Sequence, residues 1–138
     1  MENNTFTIDD GAKEYVFKNT LGDTFATIKF NATDTGIVER FEDIQKDFKG
    51  MVYDDNADIE ETLKALNVTI IDLFNRLLGR DVSSELFSVY KPMAVFANGD
   101  FYCETLLEKI GEIIEHEFNV RFKSKKAKIK NATKKYIH

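Results

Sequence analysis

The chain has one cysteine, one proline and no tryptophan in 138 residues. The single Cys103 excludes an internal disulfide framework and any cysteine-based zinc cluster, and a reducing compartment is the expected setting. One proline and seven glycines leave little room for long linkers. No continuous apolar run reaches the roughly 18 residues that a membrane span needs, so no transmembrane helix is expected. The start, MENNTFTIDD, has neither the basic nor the apolar region of a secretory signal.

Chemistry-bearing patterns are equally scarce. His116 lies between Glu115 and Glu117, His138 is the final residue, and no His-x₃-His spacing offers a metal pair. Asp54, Asn56 and Asp58 match the start of an EF-hand loop. Ile59 then stands where the sharp turn needs glycine, and Ala65 where a bidentate Glu should be. The bland reading is a solvated acidic loop favouring the positive start of the next helix. Leu78-Gly79-Arg80 is a helix end, not a phosphate-binding loop. Glu60-Glu61 and Glu112-Glu115 read as charged helix faces. No catalytic, cofactor-binding or metal-binding residue is assigned, and the expectation is a protein that is not an enzyme.

What is present is a foldable composition, 43% hydrophobic with twelve phenylalanines. Phe6 and Ile8, then Tyr15 and Phe17, then Ala26, Ile28 and Phe30 alternate with polar residues, the period of half-buried strands. Asp9-Asp10-Gly11 and Leu21-Gly22-Asp23 supply turns. A three-stranded meander over 4–9, 13–19 and 24–31 is predicted. Helical spacing follows. Asp34 caps a helix with Ile37, Phe41, Ile44 and Phe48, stopped by Gly50. A second helix carries Ile59, Leu63, Leu66, Ile70, Leu73 and Leu77 and closes at Gly79. This seam reads as core, or in part as an oligomer interface. A short helix spans Ser83 to Tyr90, and Pro92 ends it. Met93 to Phe96 is ambiguous, Asn98-Gly99 turns, and Asp100 caps a last long helix. That helix buries Cys103, Leu106, Leu107, Ile110, Ile113, Ile114 and Phe118. Gly111 within it either lets another chain approach closely or is simply tolerated. The fold class is α+β: a small N-terminal antiparallel β-meander followed by three to four helices. Residues 1–122 form one domain and 123–138 a basic C-terminal tail.

The net charge of −5 is unevenly spread. Residues 121–138 hold Arg121, seven lysines and no acid, giving +8, while the other 120 residues hold 11 basic and 24 acidic side chains, giving −13. Such a tail reads first as a docking arm for an acidic surface, on a neighbouring copy or another protein. A plain solvated end is the bland reading. Nucleic-acid binding through 121–136 is the third, driven by counterion release but opposed by the acidic body. Ala127, Ile129 and Ala132 give too small an apolar face for a membrane surface.

The order of elements carries a resemblance. A β-meander precedes a helix with Phe41 and Phe48. The segment IIDLFNRLLGRDVSSELFS, Ile70 to Ser88, joins a helix ending in LLG through a polar joint to a short SSELF helix. A long helix and a basic end follow. Over residues 5 to about 122 this pattern resembles the small tail assembly chaperones encoded by phages and prophages of Gram-positive bacteria. The resemblance implies a non-enzymatic, self-associating factor without cofactor. Such a factor acts in the host cytoplasm and is absent from the finished virion. It coats the tape-measure protein until the tail tube protein displaces it. The alternatives are a small DNA-associated phage or regulatory protein using the basic arm, and a structural connector of the virion. Candidate partner-binding residues are apolar ones that folding would leave exposed, Phe87, Tyr90, Met93 and Phe96, for which core burial is the competing reading. Arg121, Lys123, Lys125, Lys126, Lys128 and Lys130 are the cationic candidates.

Overall fold

The computed structural model describes residues 4–50 and 58–136, with side chains throughout those stretches except at 35 and 124–136. Two strands form an antiparallel hairpin, β1 (Lys13–Lys18) and β2 (Thr24–Phe30), with Tyr15 opposite Ile28 and Phe17 opposite Ala26. The tight connection is built by Asn19, whose Oδ1 accepts from the N–H groups of Leu21 and Asp23, both at 3.0 Å. Ala26, Ile28 and Phe30 face the core, as their period of two predicts. A bulge between Phe17 and Lys18 interrupts the register. Opposite it, Phe25 turns inward to pack against Tyr102, the re-aiming that an extra residue produces.

The predicted first strand is absent. Residues 4–10 run outside the sheet, and Phe6 and Ile8 are each 82% exposed. The connection does not close as a hairpin, although Gly11 has the φ of 90° that a turn there would use. Asp9 and Asp10 instead fold their carboxylates onto the N–H groups of Gly11 and Ala12, both at 2.9 Å. Asn31 Nδ2 donates to the Asp10 carbonyl at 2.7 Å.

Helix α1 (Thr35–Lys49) starts at Asp34, whose side chain accepts from Gly36 N. Helix α2 (Ile59–Leu78) starts at Asp58, accepting from Glu60 N, and closes at Gly79 in the left-handed region, φ 72°. Its seam is core only in the later turns, where Ile70, Leu73, Phe74 and Leu77 are buried. Leu63 and Leu66 are half-buried, and Ile59 is 76% exposed. Arg40 of α1 donates to the Leu77 carbonyl at 2.9 Å and ties the two helices at that end.

Helix α3 (Ser83–Leu86) is shorter than predicted. Phe87 N closes the turn on the Ser83 carbonyl, and Phe87, at φ −123° and ψ 23°, leaves helical geometry. The Leu86 carbonyl accepts from the Tyr102 hydroxyl at 2.6 Å. The ambiguous stretch becomes a loop with one bridge, Val95 to Phe101, fastened to α2 by Met93 N donating to Asn67 Oδ1 at 2.9 Å.

Helix α4 (Tyr102–Tyr136) is the spine. Asp100 does not cap it. Glu104 reaches back to accept from Phe101 N at 3.1 Å, while the Ala94 and Pro92 carbonyls accept from Tyr102 N and Cys103 N at 2.7 and 2.9 Å. The open donors of the first turn are thereby satisfied. Its buried face ends at Ile114; Ile113 is half-buried and Phe118 is 37% exposed. The helix crosses 122/123 without a break and continues for roughly 22 Å beyond Arg121. Elements and core agree with an α+β chain whose helices cover one face of the hairpin.

Candidate partner-binding surfaces

Helices α1 and α4 leave a groove between them. One segment, about 330 Å³, is lined by Val38, Phe41, Ile114 and Phe118 over Gly111. The next, about 470 Å³, is lined by Phe48, Met93 and Leu107. Gln45 belongs to both, so they run end to end. From Glu104 to Asn119 the groove follows α4 for roughly 22 Å. The glycine explains its depth. A methyl group at Gly111 would lie 2.6 Å from Phe41 Cζ, so the bare helix lets the α1 ring settle against it. The close approach is made by α1 of the same chain. Glu42, Glu104, Glu108 and Glu115 stand along the groove and Lys49 at one end, giving an apolar floor an acidic rim.

A second apolar groove lies along β1. Val16, Phe17, Phe25, Val95, Tyr90 and Phe96 line it, with Thr105 and Lys109 of α4 on the far wall. Phe25, Tyr90 and Phe96 form an edge-to-face triangle with centroids 5.2–6.2 Å apart. Tyr102 closes it from below, stacked on Phe96 at 5.1 Å.

The expected site residues therefore separate. Phe87 and Met93 lie in the core, and Tyr90 and Phe96 are half-buried at the second groove. Arg121 is engaged within the chain. Its guanidinium donates to the Gly11 carbonyl at 2.7 Å, to Asn31 Oδ1 at 3.2 Å and to Thr33 Oγ1, and it pairs with Glu117 at 3.4 Å. Lys13 joins the cluster through Glu117 at 2.8 Å, and this hydrogen bond holds the Glu117 carboxyl below the usual range. Lys123 is exposed, while the side chains of Lys125, Lys126, Lys128 and Lys130 lie outside those described. Asp54 and Asn56 also fall outside the described residues, and Asp58 is the α2 cap. Sequence reasoning missed Val16, Phe25 and Val38. Val16 sits at an outward strand position, out of phase with Tyr15 and Phe17, while Val38 widens the apolar face of α1 three residues before Phe41; these were the available signals.

Cys103 is buried, and burial, followed by the Glu104 charge, pushes its thiol up to about 12. It stays protonated at neutral pH, so it is no nucleophile there. Among the described residues no group of three or more His, Cys, Asp or Glu side chains is placed to hold a metal ion, and no helix is long and apolar enough to cross a membrane. No protein-family model, curated protein or solved structure matches the chain.

Proposed function

We propose that this protein is a non-enzymatic assembly factor, a phage or prophage tail assembly chaperone that shields a helical segment of a tape-measure protein. The α1/α4 groove carries this reading. It is long enough for about four helical turns of a partner, apolar along its floor and acidic along its rim. A helix with apolar residues at i, i+3, i+4 and i+7 and lysines beside them fits both properties. Contacts of this kind are individually weak, so a polymerising tail tube protein could displace them. The protein would act in the host cytoplasm and be left out of the virion.

The test is titration calorimetry with such helical peptides, taken from the longest helical reading frame beside the gene. Val38→Glu with Phe118→Glu should weaken binding at least about tenfold, and added salt should weaken the wild-type complex. Absence of binding by every such peptide would remove the reading.

A second reading rests on the basic run of α4, which continues the helix to Tyr136. A cationic helix can track a phosphate backbone. Duplex DNA should then be retarded at low salt by the wild-type chain and not by the Lys125→Gln, Lys126→Gln, Lys128→Gln, Lys130→Gln variant. Equal mobility with and without wild-type protein would discard it.

A further inference from the structure

We infer that the protein dimerises by exchanging its N-terminal arms, residues 5–8 of each copy adding as a third strand to the free edge of β1 in the other. The acceptor is visible. β1 pairs only with β2 in the described sheet. The free edge of β1 borders the apolar groove, in which Val16 is 48% and Val95 67% exposed. An open edge beside an apolar hollow is what an extended segment adds to. In that hollow Thr105 Oγ1 is buried without a hydrogen-bond partner.

The donor is visible too. Thr5-Phe6-Thr7-Ile8 alternates with a period of two, and Phe6 and Ile8 are 82% exposed. As a strand it places both apolar side chains on one face. Its roughly 13 Å fits within the roughly 20 Å of β1. Asp9 and Asp10 follow the apolar pair, and β1 has Lys18 at one end, while Lys13 at the other is already paired with Glu117.

The arm's own β1 is the wrong acceptor. Asn31, directly after β2, holds the Asp10 carbonyl, and Arg121 holds the Gly11 carbonyl, each at 2.7 Å. These bonds draw the chain toward β2, away from the free edge. Exchange between two copies buries both arms and closes the pair by a two-fold axis.

The inference stands on the arm and the β1 edge and is independent of client binding. Sedimentation of the full chain should give a dimer, and Phe6→Ser with Ile8→Ser should weaken it at least about tenfold. These two side chains are exposed, so the variant keeps its fold, checked by circular dichroism. Differently tagged Thr7→Cys and Val16→Cys chains, mixed and treated with a short bis-maleimide, should cross-link to each other; the buried Cys103 stays silent. A monomer at every concentration overturns the inference. So does a dimer indifferent to the serine variant, or a cross-link confined to single chains carrying both cysteines. Helical-peptide binding that survives any of these results leaves the chaperone reading in place.

Discussion

Tyr102→Ala is expected to lower the unfolding free energy by about 3–5 kcal/mol, read from the urea midpoint. The side chain is 1% exposed and touches the rings of Phe25, Phe87, Tyr90 and Phe96. Its ring thereby links the aromatic groove to Phe74 and Phe48 across the core. Tyr102→Phe separates packing from hydrogen bonding. The rings stay, and the Leu86 carbonyl loses its donor, for about 1–3 kcal/mol. A cost for Tyr102→Phe as large as that for alanine would mean that the hydroxyl, not the packing, holds this centre. Burial, and behind it Tyr90, raises the phenol far above its usual value, and burial also raises Tyr15. A raised pKa stabilises the fold below the unfolded value and is lost as pH climbs through the folded one. The wild-type chain should therefore weaken above about pH 10, and Tyr102→Phe should lose less there.

The features legible in the sequence were those decided within a few residues. Asp34 and Asp58 accept from N–H donors only two residues on, Gly79 needs only its own backbone, and the β2 alternation is local. What was not legible is settled by distant partners. Asp10-Gly11 is compatible with a hairpin turn, and Asn31 and Arg121 decide against it. Ser83 to Tyr90 is compatible with a longer helix, but the chain leaves helical geometry at Phe87, beside the bond from the Tyr102 hydroxyl to the Leu86 carbonyl. Phe87 and Met93 stood in a stretch without clear periodicity, so their burial depended on the packing of α2 and α4. Arg121 looked like the first charge of a tail because its partners at 11, 31 and 33 lie at the other end of the chain. The α1/α4 groove depends on Phe41 meeting Gly111, a pairing that no periodicity announces.

Gly11→Ala is expected to be the second most damaging change, about 2–4 kcal/mol. Two causes add. A residue with a Cβ at φ 90° is strained by about 1–2 kcal/mol. The new methyl group would also lie 2.1 Å from Arg121 Nη1, so the guanidinium must leave. It then forfeits the bonds to Gly11, Asn31 and Thr33. Arg121→Ala removes those bonds without the strain. Because its side chain is 30% exposed, about 1–2 kcal/mol is expected. The double variant should cost less than the sum, since no guanidinium remains to be displaced. Strict additivity would mean that glycine and arginine act separately. Acid should imitate part of the effect. A lowered Glu117 pKa stabilises the fold above the unfolded value of about 4.3 and is lost as pH falls through the folded one. Lys13→Ala should blunt that acid response, because its hydrogen bond is the first cause of the shift. The cluster also sets where the arm points. With Arg121 gone, the Gly11 carbonyl is released while Asn31 still holds that of Asp10, and residues 5–8 should turn back onto their own β1 more often. Arg121→Ala should then move the population from dimer toward monomer while leaving Phe6 and Ile8 less exposed to solvent, and hydrogen exchange across residues 5–8 would report it.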